Sequence, residues 1–126
     1  MQVSDQQFED FIAEAIAATS PVYKERLQNI AFIVEDDPSP AQRQKMGLLP
    51  YQTLLGLYEG VPLPARGGAT KLLPDKITLF KNPLLAKSAS IEELRENIRH
   101  TVWHEVAHYF GLDHSQIYKL DGSSKR

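Results

Sequence analysis

The chain contains no cysteine. Disulfides are therefore excluded, and so are thiolate metal ligands; a metal ion would have to be held by histidine and carboxylate side chains. Long apolar runs are also missing. No stretch approaches the roughly 20 residues that cross a bilayer, and no basic segment with an apolar run opens the chain. The start, Met1-Gln2-Val3-Ser4-Asp5, reads as a helix entry. These absences point to a cytoplasmic protein with no membrane partner. An excess of one charge is lacking too: the net charge of −2 offers no electrostatic attraction for nucleic acid or anionic lipid. The chain's 126 residues suit one core and hence a single domain over residues 1–126. With 42% hydrophobic and 24% charged residues, that domain reads as globular, not disordered.

What is present concentrates near the C-terminal end. His104-Glu105-Val106-Ala107-His108-Tyr109-Phe110-Gly111-Leu112-Asp113-His114 has the form H-E-x-x-H-x-x-G-x-x-H, a metal-site pattern of zinc hydrolases. Residues four apart on an α-helix lie about 40° apart around its axis and roughly 6 Å along it, so His104 and His108 can reach one ion. Glu105 is rotated by about 100° from His104, close enough to touch a water on the ion but poorly aimed to be a ligand. Gly111 can take the left-handed conformation that ends a helix. The chain then turns, and Asp113 or His114 can come back under the ion. His114, tenth after the first histidine, is the expected third ligand, with Asp113 as the alternative. The chain's only histidines, His100, His104, His108 and His114, all fall in this short stretch.

Projecting Ser90 to Phe110 as a helix puts Ile91, Leu94, Ile98, Val102 and Tyr109 on one core-facing stripe. Glu105 falls inside it. A carboxylate there is costly unless something compensates it, such as a cation or a metal-held water. Ser90 and Glu93 have capping-box spacing at the start of this helix.

Upstream, Ser4 and Gln7 form another capping-box pattern, and Phe8, Phe11, Ile12, Ala15 and Ile16 repeat at helical spacing over about residues 5–18. This helix is expected to cover a sheet. Ser20-Pro21 begins a second short helix to about Gln28. Ile30-Ala31-Phe32-Ile33-Val34 is a buried strand. The acidic trio Glu35-Asp36-Asp37 that follows reads as a solvated strand exit. Residues 36–50 carry three prolines and form a loop, with a helical turn at Ala41–Lys45. Thr53–Tyr58 is a second strand in which Gly56 permits a close approach. Ile77–Phe80 is a third, entered through Pro74-Asp75. Asn82-Pro83 caps a short helix to about Lys87. Residues 114–120 offer a last helical turn, and 121–126 a frayed tail.

Together these segments resemble the small bacterial zincin-like metallopeptidases, or minimal zincins. The resemblance runs from Asn29 to Leu120. It rests on Ile33-Val34-Glu35-Asp36, on Leu55-Gly56-Leu57-Tyr58-Glu59-Gly60-Val61-Pro62-Leu63 with Arg66-Gly67, and on Leu73-Pro74-Asp75-Lys76-Ile77-Thr78-Leu79-Phe80. It continues through Glu92-Glu93-Leu94-Arg95 into Thr101-Val102-Trp103-His104-Glu105. It implies an α+β fold: a small mixed β-sheet packed against a long metal-binding helix, here preceded by N-terminal helices over residues 1–28. It also implies a zinc site. Many such proteins carry Asp where this chain has His114. A histidine there is similar to the metzincin endopeptidases, but those place a methionine after the zinc motif, and no methionine follows Met46.

The function expected on these grounds is a zinc-dependent metallopeptidase acting on a peptide or protein substrate, with one zinc per chain held by His104, His108 and His114. Glu105 would take a proton from the zinc-activated water and return it to the leaving amine. Tyr58, Arg66 and His100 are candidate oxyanion donors by residue type. The ending Gly-Leu-Asp-His is similar to ribosomal-RNA maturation endoribonucleases, but those lack glutamate after the first histidine, and the charge disfavours RNA. A third alternative is a non-catalytic, zinc-stabilised interaction domain. Lys76–Phe80 alternates polar and apolar residues between prolines. It is the expected sheet edge for an added substrate strand, with loop 60–68 as a mobile lid.

Overall fold

The fold begins where Ser4 stops the chain from starting its helix any earlier. The hydroxyl of Ser4 accepts from the Gln7 N–H at 3.1 Å and the Gln7 side chain accepts from the Ser4 N–H at 2.9 Å, the reciprocal box that satisfies two orphan donors. Helix α1 (Asp5–Ala17) follows. This structure is a computed structural model that describes residues 2–19, 30–60 and 75–111. The helix expected at 20–28, loop 61–68, the turn at 114–120 and the tail at 121–126 lie outside the described residues.

The remaining elements are strand β1 (Ile30–Glu35), helix α2 (Pro40–Lys45), strands β2 (Gly56–Glu59) and β3 (Asp75–Phe80), and helices α3 (Lys81–Lys87) and α4 (Ile91–Tyr109). The expected turn at 41–45 is a capped helix: Ser39 accepts from Gln42 N–H, Gln42 accepts from Ser39 N–H, and Pro40 sits at the first position. Helix α3 starts earlier than its sequence suggested. Phe80, not Asn82, occupies the cap position, without a side-chain bond, and the Asn82 amide instead donates to Asp37 Oδ2 at 2.8 Å. That contact ties the acidic strand exit to α3. At α4, Ser90 caps Glu93 N–H, but the Glu93 carboxylate reaches Ala89 N–H and not Ser90, so the box is only half formed.

The three described strands form a mixed sheet in the order β1-β3-β2. β3 pairs in parallel with β1, with Phe32 opposite Ile77, and antiparallel with β2, with Tyr58 opposite Ile77. β3 is thus the central strand. The edge expected at Lys76–Phe80 is contradicted: its backbone is paired on both sides, and no substrate strand can add there. The edges of the described sheet are β1 and β2. Polar residues misled the alternation. Thr78 is fully buried at the sheet centre, and the Lys76 side chain pairs with its cross-strand neighbour Glu59 at 3.5 Å.

The core lies between the sheet and the helices. Ile77 and Leu79 from β3 meet Leu94, Ile98, Val102 and Val106 from α4, Phe8, Ile12 and Ala15 from α1, and Leu84 from α3. Each of these side chains larger than alanine contributes about 1.5–3 kcal/mol relative to exposure. The predicted stripe of α4 is buried except for Ile91, which is half-buried at the helix start. Helix α1 packs chiefly along α4 and less on the sheet than its pattern implied. Arg95 on α4 fixes it there, donating to Glu14 at 2.6 Å and lying 5.5 Å over the Phe11 ring. No helix among the described residues is long and apolar enough to cross a membrane.

Glu59, at the end of β2, gathers the outer face of the sheet. It accepts from the Gln42 amide at 3.1 Å and pairs with Lys76 at 3.5 Å and Lys45 at 3.7 Å. Burial pushes its carboxyl pKa up, but the Gln42 bond and the two ammonium groups outweigh it and hold the pKa below the ordinary value. A carboxylate with a depressed folded pKa stabilises the fold above its unfolded pKa and loses that contribution as pH falls through the folded one. Glu59→Gln should therefore cost about 0.5–1 kcal/mol at neutral pH. The gap to wild type should close as pH drops below 4.5, the ordinary glutamate value. Urea unfolding across a pH series measures this, and a gap that stays constant at low pH would refute it.

Candidate metal and catalytic site

Two adjacent rows on α4 define the site. Residues 101, 105 and 109 follow one another at four-residue spacing and form one row; residues 100, 104 and 108 form the next, about 100° around the axis. The first row faces β2. Two residues along a strand advance about 6.6 Å and four along a helix about 6 Å, so strand and helix stay in step. A Cβ on Gly56 would sit 2.6 Å from Thr101 Cγ2 and 3.4 Å from Glu105 Cγ, so only glycine lets the strand come this close. Two residues on, the Tyr58 N–H donates to Glu105 Oε1 at 2.9 Å. The Tyr58 ring then meets Tyr109 edge-on, 6.0 Å between centroids at 77°.

The direction of the Tyr58 N–H follows from register. Phe80 N–H donates to Leu55 O at 2.9 Å, making that pair a hydrogen-bonded one. Alternation along the antiparallel ladder then points the main-chain groups of Gly56 and Tyr58 away from β3. Glu105 occupies one of these outward donors. It is 7% exposed, matching its place on the core stripe, and the strand amide supplies the compensation that the sequence left open. Its Oε1 also lies 3.3 Å from His108 Nδ1. Among the described residues Oε2 has no partner. The one side-chain polar atom buried without a partner there is Thr78 Oγ1, so Oε2 still reaches accessible space.

The second row carries the imidazoles. The His104 and His108 rings are 5.1 Å apart between centroids and 76° between planes. Both residues are half-buried, which places the pair at the margin of the core. The hydrogen bond that His108 Nδ1 donates to the Glu105 carboxylate raises the His108 pKa above its ordinary value; burial opposes this and the nearby negative charge adds to it. His100, one turn earlier, binds Glu96 Oε1 through Nε2 at 2.9 Å. Helix α4 ends as its sequence required: Gly111 has φ 74° and its N–H donates to His108 O at 2.9 Å. His114, Asp113 and Arg66 lie outside the described residues. No group of three or more metal-ligating side chains occurs among the described residues.

Two features were not legible beforehand. One is the Tyr58 main-chain amide, which carries no side-chain signal. The other is Asp75. It read only as a strand entry, yet it is 2% exposed and accepts from the Tyr58 hydroxyl at 3.0 Å. Both depend on the β2–β3 register.

The sequence matches the profile of a family described as zincin-like metallopeptidases over residues 27–123. No curated protein matches the chain. Among solved structures, a conserved hypothetical protein from T. thermophilus superposes with a TM-score of 0.58 at 19% identity, covering 94% of this chain and 98% of that one. At that identity the likeness concerns the fold alone.

The tight crossing of β2 over α4 can be tested directly. Gly56→Ala should destabilise the protein by about 1–3 kcal/mol through overpacking. Thr101→Ser removes the methyl at 2.6 Å and should recover part of that loss in the double variant. The Thr78 carbonyl at 3.2 Å sets the unrecovered part. Purely additive effects in the double-mutant cycle would contradict this packing.

Proposed function

This chain belongs to the zincin-like metallopeptidase family, and from that membership we propose that it is a zinc-dependent peptidase in which Glu105 is the general base. The observation that carries the proposal is the posture of Glu105. One carboxylate oxygen, Oε1, is held by a strand amide and lies against the His108 imidazole, and Oε2 is left without a partner among the described residues.

The donor set fits zinc. Imidazole nitrogens suit it, the chain has no thiolate to complete a closed structural site, and a site of three ligands keeps a position open for water. His104 and His108 would supply two ligands and His114 the third, delivered by the turn that Gly111 makes, with Asp113 beside it as the alternative. Bound there, zinc would acidify a water molecule and polarise a peptide carbonyl. Glu105 would take the proton at Oε2 and pass it to the departing amine. Oε1, fixed by Tyr58 N–H, keeps the carboxylate from swinging away during that exchange. The substrate is a peptide or protein. The presence of Glu105 and the family membership weigh against the endoribonuclease alternative.

Replacing His104 or His108 by Ala should reduce zinc affinity by at least an order of magnitude, since each is one ligand of a small set. His114→Ala should do the same while Asp113→Ala has a smaller effect. Isothermal titration with zinc ranks the variants, and stoichiometric zinc in the His104→Ala/His108→Ala double variant would end the proposal.

Glu105→Gln should retain zinc and lower peptide hydrolysis at least about a hundredfold, because an amide cannot accept the proton. Peptide-library cleavage by wild type and variant is the assay. A variant as active as wild type would remove Glu105 as the general base, and a wild type that cleaves no peptide would favour the RNA or the non-catalytic alternative, which parallel RNA substrates separate.

A further inference from the structure

Tyr58 has two polar handles, and they are used in opposite directions. Its main-chain N–H holds Glu105 Oε1 at 2.9 Å; its hydroxyl donates to Asp75 Oδ2 at 3.0 Å. Asp75 is a buried acceptor. It opens the central strand, is 2% exposed, and stands one diagonal step from Tyr58 on the core face of the sheet. The chain approaches it so tightly that a Cβ on Gly60 would overlap Asp75 Oδ1. The Tyr109 ring bears on the Tyr58 ring from the helix side. Tyr58 is thus fixed at its hydroxyl, its ring and its backbone.

We propose that Tyr58 is a positioning residue for Glu105: the buried Asp75 carboxylate anchors its hydroxyl, and the anchored residue presents its main-chain N–H to Glu105 Oε1. This role excludes the oxyanion-donor role considered for it, because the single hydroxyl proton is committed to Asp75. β2 is an edge of the described sheet and has β3 on one side only, so its outer amide is not held in place by a further described strand. An edge strand frays more readily than a central one. The hydroxyl anchor suppresses that motion at the residue whose amide orients the carboxylate. The inference rests on Glu105 being the general base, but the geometry it concerns can be measured without turnover.

The test is residue-resolved amide hydrogen exchange on the full-length protein, comparing wild type with Tyr58→Phe, Glu105→Gln and Glu105→Ala. Tyr58→Phe keeps the ring against Tyr109 and removes the hydroxyl that Asp75 anchors. It should speed exchange of the residue-58 amide at least tenfold and leave the Phe80 amide, bonded to Leu55 O, at its wild-type rate. Glu105→Ala should expose the residue-58 amide similarly; Glu105→Gln, which keeps an acceptor oxygen, should do so less. Zinc affinity of Tyr58→Phe should stay within about twofold of wild type. With a cleaved peptide in hand, its kcat should fall about tenfold at unchanged KM. Wild-type exchange at residue 58 in Tyr58→Phe would overturn the proposal, whatever Glu105→Ala shows. So would an equal loss of protection at Phe80, which would make Tyr58 a general strand anchor. If the exchange pattern holds but no peptide is cleaved, it is the peptidase reading that fails and the positioning of Glu105 that stands.

Discussion

The structure of the site depends on one contact: the crossing of β2 along the Thr101–Glu105–Tyr109 row of α4. It works because a two-residue strand step and a four-residue helix step are nearly the same length. Gly56 lowers the strand onto Thr101, Tyr58 N–H reaches Glu105, and the Tyr58 ring closes on Tyr109. Shift β2 by one residue and every outward amide turns inward toward β3. Glu105 would then be a buried carboxylate without its strand donor. Register between β2 and β3 is therefore a requirement of the site as well as of the sheet.

Much of this fold could be read from local chemistry. The box at Ser4, the helical turn at 41–45, the apolar face of α4, the left-handed Gly111 and the close approach at Gly56 all rest on local sequence signals. The burial of Glu105 was also legible, since helical projection alone places it between Leu94 and Ile98. The features that escaped are those set by pairing between distant segments. Lys76-Ile77-Thr78-Leu79-Phe80 alternates as an edge strand would, but both faces of the sheet are covered at its centre. Thr78 is buried for that reason, and Lys76 is neutralised by Glu59 from the neighbouring strand. Similarly, Asp75 looks like strand punctuation until the antiparallel register brings Tyr58 to it.

The same limit applies to the rows of α4. The motif gives the two histidines a common face, and they are found there with their rings in contact. What holds the glutamate could not be inferred from the motif, because its partner is a backbone amide. Main-chain donors have no residue identity, and only topology reveals them.

Two liabilities cancel in this arrangement. A carboxylate buried in a core stripe costs several kcal/mol unless it is hydrogen-bonded (about 1–3 kcal/mol even for neutral polar groups). An edge strand leaves outward amides that invite unwanted pairing. At Tyr58 and Glu105 each supplies what the other lacks, so neither requires an extra element to cover it. The remaining oxygen of Glu105 then faces accessible space while the backbone behind it is fixed. The rotation of about 100° between successive residues leaves the neighbouring histidine row half-buried at the margin of the core. One helix thereby carries a firmly seated carboxylate and a half-buried imidazole pair side by side, the combination that the proposed general base beside a metal would require.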